Sequence, residues 1–310
     1  MCKAVILILA FCFMACSSTN KTPSTQYIIK HGNGNIGTYI TTPKGFETSS
    51  YWIEGPKGLI FIDTQFLPSA AEESINVAEK ITGKKVLLAI ILHPNPDKFN
   101  GTLNFQKRGI RVVTSEQVKN IIPAIHKDRY GWFYPRYQPD YPTSAAAPDS
   151  FGNATQELSA GGVTVKAHVL GAGCSEAHVV IEYGKNIFTG DLVTNHNHSW
   201  LEIGKLDDWL KRIEELESLK PEFVYPGRGA FGGPELLFRQ RVYLEKIIEL
   251  VKAAQPRMPV KEETLLRLQN KIENLFPGYQ YEYFLEIGLP AVWAHEAALQ
   301  TNKNKKKKKK

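Results

Sequence analysis

The order of elements along this chain predicts an α/β-type protein built from two β-rich halves with helices on their outer sides. Three observations predict it. Val86–Leu92 is a continuous apolar run, the pattern of a strand covered on both faces. Ser69–Ile81 puts Ala71, Ile75, Ala78 and Ile81 on one helical face. Beyond residue 160 the alternation of strands and helix returns.

Taken in order, Tyr27–Ile40 and Ser50–Glu54 are β-branched and aromatic segments. Gly55-Pro56-Lys57-Gly58 turns the second of them into the next strand as a hairpin. Thr102–Gln106 reads as a helix, Arg111–Thr114 as a short strand and Glu116–His126 as a helix. Residues 130–141 hold Tyr130, Trp132, Phe133, Tyr134, Tyr137 and Tyr141 among prolines and a glycine. They read as a long loop that either covers a site or packs onto the core. Val163–Leu170, His178–Tyr183, Ile187–Asp191 and Phe223–Tyr225 supply the later strands, with a helix at Leu206–Leu219. Helices follow at Leu236–Lys252 and Glu262–Leu275, parted by Pro256 and Pro259. A third, Tyr281–Ala298, is expected to break at Gly288-Leu289-Pro290. These last helices either cover a site or form a dimerisation surface, and the sequence leaves the oligomeric state open.

The termini carry their own information. Lys3 precedes an apolar run from Ala4 to Ala15, too short to span a bilayer and suited to a signal-peptide core over residues 1–15. Phe13-Met14-Ala15-Cys16 has the form of a bacterial lipobox, so Cys16 is the expected lipidation site and residues 16–26 a polar tether. With Ser17 and Ser18 following, the expected location is the outer membrane, facing the periplasm through a lipid anchor. A soluble periplasmic protein is the alternative. Once Cys2 and Cys12 leave and Cys16 is blocked, Cys174 is the one thiol left, and no intrachain disulfide can form. The formal charge of +7 is accounted for by seven lysines at 303 and 305–310. The body is therefore neutral and offers no nucleic-acid-binding surface, and residues 301–310 are expected to be a disordered tail.

Five segments carry the chemistry. His93-Pro94-Asn95-Pro96-Asp97-Lys98-Phe99-Asn100-Gly101 follows the apolar strand, and Gly58–Thr64 ends in Asp63-Thr64. Gly171–His178 contains Cys174, Asn186–Asp191 ends a strand, and Tyr225-Pro226-Gly227-Arg228-Gly229 forms a turn. In order and spacing these resemble the metallo-β-lactamase superfamily, whose loops place histidines and aspartates around one or two zinc ions. The resemblance implies an α+β, four-layer αββα sandwich over residues 27–255, with a C-terminal helical extension at 256–300. It also implies that Asn95, Lys98, Cys174 and Arg228 stand where the family has histidines.

On that resemblance His93, Cys174 and Asp191 are the expected metal ligands for one zinc ion, since imidazole, thiolate and carboxylate plus water make an open catalytic set. Asp97, Lys98, Arg228 and His198 are the expected catalytic or substrate-binding residues. Lys98 and Arg228 oppose a second dication and would instead hold an anionic small-molecule substrate. His178 reads as a buried hydrogen-bonded histidine. Three functions stay open. The first is a single-zinc hydrolase acting on an anionic ester, thioester, lactone or phosphoester. The second is a binding protein on a degenerate scaffold, and the third an enzyme with Cys174 as nucleophile.

Overall fold

The structure, a computed structural model, describes residues 25–31, 34–145 and 147–307, with side chains placed over 36–145 and 147–302. The expected signal, the lipidation site Cys16 and most of the tether lie outside the described residues. Among the described residues no helix is long and apolar enough to cross a membrane.

The first half contains strands β1 (Thr25–His31), β2 (Gly34–Ile40), β3 (Ser49–Glu54) and β4 (Leu59–Ile62), then helix α1 (Pro68–Thr82) and strand β5 (Val86–Ile90). A single helical turn α2 (Pro96–Phe99), helix α3 (Thr102–Lys107), strand β6 (Arg111–Thr114), helix α4 (Glu116–Tyr137) and strand β7 (Asp149–Ser150) complete it. These strands form one sheet in chain order, antiparallel from β1 to β4 and parallel from β4 to β7. The β-rich segment Tyr27–Ile40 is divided between two antiparallel strands, with His31 opposite Gly34.

The second half contains β8 (Gln156–Ala160), β9 (Val163–Leu170), β10 (His178–Tyr183), β11 (Asn186–Thr194), α5 (Leu206–Ser218) and β12 (Phe223–Arg228). Its sheet runs β12-β11-β10-β9-β8, with only the β11–β12 pair parallel. Helices α6 (Glu235–Ala253), α7 (Glu262–Leu275) and α8 (Tyr283–Lys307) end the chain.

The two sheets meet face to face. Ile53, Ile60 and Ile90 of the first share one apolar core with Val179, Ile181 and Phe188 of the second. Tyr51 crosses the gap, its ring 5.4 Å from both Phe188 and Tyr225 and its hydroxyl donating to the Pro226 carbonyl at 2.6 Å. Buried side chains of α1 join this core from the outer side of the first sheet, which completes helix, sheet, sheet and helix in four layers. The outer core of the second sheet includes Trp209 and Ile213 of α5, Leu244 and Ile247 of α6, Ile272 of α7, and Leu289 and Val292 of α8. The C-terminal extension is thus packed on the same sheet as the helices before it.

Three sequence expectations need correction. Helix α4 continues to Tyr137, so residues 130–137 are helix and not loop, despite Pro123 and Pro135 inside it. Phe133 and Tyr137 pack 5.0 Å from the ring of Phe66, and this aromatic anchoring outweighs the hydrogen bond a proline removes. Helix α8 runs through Gly288-Leu289-Pro290 without a break. Gly288 lies so close to Leu201 that a Cβ there would sit 2.5 Å from the leucine Cβ, and Leu289 is buried beside it. The same helix continues to Lys307, where a disordered tail is expected from the lysine run.

Candidate functional site

Loops at one end of the sandwich bring the sequence-predicted residues together. His93 lies just past β5. Asp63, just past β4, accepts a hydrogen bond from the Leu92 N–H at 2.9 Å and so fixes the end of that strand. Thr64 holds the next turn, its N–H and hydroxyl donating to the Lys98 carbonyl at 2.7 and 2.8 Å. Asp97 and Lys98 sit on α2, Asp191 on β11 beside a register shift at Gly190, and Arg228 at the end of β12. Glycine is required at 227, because a Cβ there would fall 1.9 Å from Asp191 Oδ1.

Asp97, Lys98, Asp191 and Arg228 form a closed, neutral ion quartet. Lys98 Nζ lies 2.9 Å from Asp191 Oδ1 and 3.1 Å from Asp97 Oδ2. Arg228 Nη2 pairs with Asp97 Oδ2 at 2.6 Å, and Nη1 pairs with Asp191 Oδ2. Further arginine donors are taken as well: Nε donates to the Phe46 carbonyl at 3.1 Å, and Nη2 reaches Thr48 Oγ1 at 3.4 Å. Thr48 in turn donates to Asp97 Oδ2 at 3.0 Å. All four charged side chains are buried. Burial alone would raise the Asp191 carboxyl, but Arg228 and then Lys98 outweigh it and hold it well below the usual carboxylate range. Asp97 is likewise held low, with Lys98 and then Arg228 overcoming burial.

Behind the quartet lies a second cluster. One donor atom from each of His93, Cys174 and His178 lies within 4.8 Å of the other two, and all three residues are buried. Ser175 Oγ donates to Asn95 Oδ1 at 3.1 Å and stands 3.2 Å from His93 Nδ1, while the Asp191 N–H reaches His93 Nε2 at 3.4 Å. That network puts the His93 proton on Nδ1. Burial lowers the His93 pKa to about 4, so the ring is neutral at pH 7. His178 Nε2 accepts the Ser175 N–H at 3.1 Å and lies 3.8 Å from Cys174 Sγ. Burial raises the Cys174 thiol well above its ordinary value, with Asp191 adding to the effect. The cluster differs from the expected ligand set in its third member. His178 joins His93 and Cys174, while the Asp191 carboxylate, 3.8 Å from His93 Nε2, is engaged by Lys98 and Arg228.

The remaining expected site residue lies elsewhere. His198 is buried, its Nδ1 3.0 Å from the Tyr243 hydroxyl and its ring among Tyr243 and Tyr279, and it does not line the cavity described next. Its ring packs against Tyr243 of α6 and Tyr279. The loop leaving β11 contributes Trp200 to the cavity instead.

That cavity, of about 410 Å³, opens above the quartet. Asn95, Asp97, Asp191 and Arg228 make its floor, and Phe284 stacks over Arg228 at 5.5 Å. Phe46, Phe66, Phe133, Tyr137 and Ile287 give it apolar walls. Arg129 is held between Trp132 and Trp200, 5.3 and 5.8 Å from their rings, and is paired with Glu202. Arg136 lines the exposed rim, donates to the Trp132 carbonyl at 2.8 Å, and among the described residues has no carboxylate within ion-pair distance. Sequence reading marked the aromatic segment but missed both arginines. Their spacing of seven, two helical turns apart, would have placed them on one face had the segment been read as helix. None of His93, Cys174 and His178 lines the cavity.

The model of the metallo-β-lactamase superfamily matches residues 43–228, more than half of the chain. The chain belongs to that superfamily. Solved structures agree on the fold. A metallo-β-lactamase from Pontibacter korlensis superposes with a TM-score of 0.57 at 22% identity, over 71% of this chain and 99% of that one. The DIM-1 metallo-β-lactamase does so with 0.56 at 17%, over 72% and 99%, and one from Hirschia baltica with 0.55 at 17%, over 70% and 96%. Among curated proteins none matches the chain.

Superfamily membership implies zinc, and the donor set decides where it fits. The quartet does not fit a metal centre. Its carboxylates are already ion-paired with Lys98 and Arg228, and those two cations cancel the field that would draw a dication. Two imidazoles and a thiolate at His93, His178 and Cys174 do fit a zinc ion.

Asp63 gives a check on the electrostatics beneath the site. Burial pushes its carboxyl up to about 8 against the opposing pull of Lys98. Its folded pKa stands above the unfolded value, so the stability it contributes is fully present below about pH 3.9 and lost as pH rises through its folded value. Asn accepts the same Leu92 N–H and tolerates the positive φ of 62° at this position. Asp63→Asn should therefore gain about 2 kcal/mol over the wild type between pH 6 and pH 9. Calorimetry at both pH values decides it, and equal slopes for the two chains would remove the buried neutral carboxyl.

Proposed function

We propose that this protein binds an apolar-bodied organic anion in the aromatic cavity, on a superfamily scaffold whose two-metal centre is replaced by the ion quartet. One observation carries the reading. Arg228 on the floor and Lys98 behind it are neutralised by Asp97 and Asp191, so the cavity offers apolar walls and one guanidinium, Arg136, with no ion-pair partner among the described residues. The sequence reading assigned the anion to Lys98 and Arg228, whereas the pairing moves that role to the rim. The carboxylates facing the cavity are ion-paired and so are weak bases. Asp97 and Asp191 are held ionised by their partners, and His93 and Cys174 are sealed off below. The cavity's size suits a small molecule.

The test uses anilinonaphthalene sulfonate and its uncharged analogue N-phenylnaphthylamine, read by quenching of Trp132 and Trp200. Arg136→Glu should weaken the sulfonate roughly three- to tenfold, the range of one exposed charge contact reversed, and leave the neutral probe unchanged. Equal affinity of both probes for the wild type would sink the anionic part of the proposal. No binding of either would sink the cavity itself.

The convergence of His93, Cys174 and His178 favours a second reading, a single-zinc hydrolase of an anionic ester, thioester, lactone or phosphoester. Zinc there would supply Lewis acidity and an acidified water. The three side chains would hold the ion while Asn95 and Arg228 faced the substrate from the cavity floor. Its test is turnover of an anionic aryl ester that disappears on chelation and returns with zinc. The export proposal, with a lipid anchor at Cys16, accompanies either reading.

A further inference from the structure

We propose that His93, Cys174 and His178 form a buried zinc site that staples the two sheets beneath the cavity floor, rather than a site that serves the cavity. His93 follows β5 of the first sheet, whereas Cys174 and His178 lead into β10 of the second. An ion held by all three would bridge the sheets at the level where the Val179 N–H already donates across to the Leu92 carbonyl at 2.6 Å. The side chains are 0%, 1% and 0% exposed, and none contributes to the cavity lining, so the site is closed to a substrate lying there. Three protein ligands leave zinc a fourth position, but with all three side chains buried and absent from the cavity lining that position does not meet the cavity, and the ion's role there is to hold the two sheets.

The neighbours do not explain the cluster as ordinary packing. A buried histidine kept for packing satisfies both ring nitrogens. Here His178 Nδ1 has no hydrogen-bond partner among the described residues, and Nε2 has the Ser175 N–H and the weak Cys174 thiol contact. His93 Nε2 faces the Asp191 N–H at a long 3.4 Å. Cys174 meets His178 at 3.8 Å, a contact between a weak donor and an imidazole that a shared ion would draw together. Asp191 does not compete for the role, since Lys98 and Arg228 hold both its oxygens.

The experiment uses the full chain and cobalt(II) as the spectroscopic stand-in for zinc. The cobalt-loaded wild type should show an intense thiolate-to-cobalt absorption in the near ultraviolet and visible bands of tetrahedral strength. Zinc content should be about one equivalent in the wild type and fall below about 0.1 in Cys174→Ser and His178→Gln. Removing the ion with dipicolinate should lower the melting temperature of the wild type, and zinc should restore it, because the ion binds only the folded sheets. A folded wild-type chain that takes up no zinc would overturn the site, as would a full equivalent retained by His178→Gln. Should the variants not fold, the wild-type spectrum decides alone. Cobalt bound without the thiolate band excludes Cys174 and overturns the proposal. None of these readouts depends on anion binding in the cavity, so the two proposals fail separately.

Discussion

Replacing Arg228 with methionine should lower the unfolding free energy by about 3–5 kcal/mol, the range for removing one partner of a buried ion pair. At about 3 Å and an effective dielectric near 20, each quartet contact carries roughly 5 kcal/mol of Coulomb energy, offset by the desolvation of its two ions. Intact, the four groups come close to balance. Without Arg228, Asp97 and Asp191 lose their shortest partners, and Lys98 alone faces two buried carboxylates. Removing a carboxylate as well, in Arg228→Met with Asp97→Asn, should recover much of the loss and show that the penalty is unpaired charge. The pH dependence supplies the sign. Asp97 and Asp191 are held below their unfolded values, so their contribution is present above about pH 3.9 and lost as pH falls through the folded pKa. The gap between wild type and Arg228→Met should therefore be wide at pH 7 and shrink below pH 4. Urea denaturation at the two pH values measures it, and a gap independent of pH would mean that Arg228 acts through packing alone.

Phe66→Ala should cost about 3–5 kcal/mol, the usual range for a buried phenylalanine, and should loosen the cavity wall. The Phe66 ring is 1% exposed and meets Phe46, Phe133, Tyr137 and Tyr141 edge to face at 4.8, 5.0, 5.0 and 5.5 Å. These contacts tie the last two turns of α4, with Arg136 and Trp132, to the loop after β4. Without the ring, that stretch keeps Pro135 and Gly131 and loses its anchor. Hydrogen exchange in residues 130–137 should quicken more than in β5 or β11, and the neutral naphthylamine probe should bind less tightly. Exchange that rises evenly across the chain would show that Phe66 supports the fold and not the wall.

The loops were legible because their residues are local. His93, Asp97, Lys98, Asp191 and Arg228 sit at strand ends whose apolar runs are clear in the sequence, and the structure does gather them. The pairing among them was not legible. Lys98 and Arg228 read as cations awaiting an anion, and only the three-dimensional fold shows that Asp97 and Asp191 already supply it. His178 hid for a related reason. It opens an ordinary-looking strand, and its approach to His93 depends on how two sheets, far apart in sequence, face each other. The aromatic stretch at 130–137 was read as loop because proline and glycine are strong local signals, whereas the partners that keep it helical, Phe46 and Phe66, lie some seventy residues or more away in the chain. His198 sits in suggestive company in the sequence, and the fold turns it toward Tyr243.

The replacement of the two-metal centre by paired side chains is tested most directly by anomalous diffraction at the zinc edge, from crystals of the full chain soaked in zinc. The quartet predicts no zinc peak between Asp97, Asp191 and Arg228, with Lys98 and Arg228 still in contact with both carboxylates. A zinc peak among those carboxylates, with Lys98 or Arg228 swung away, would contradict it.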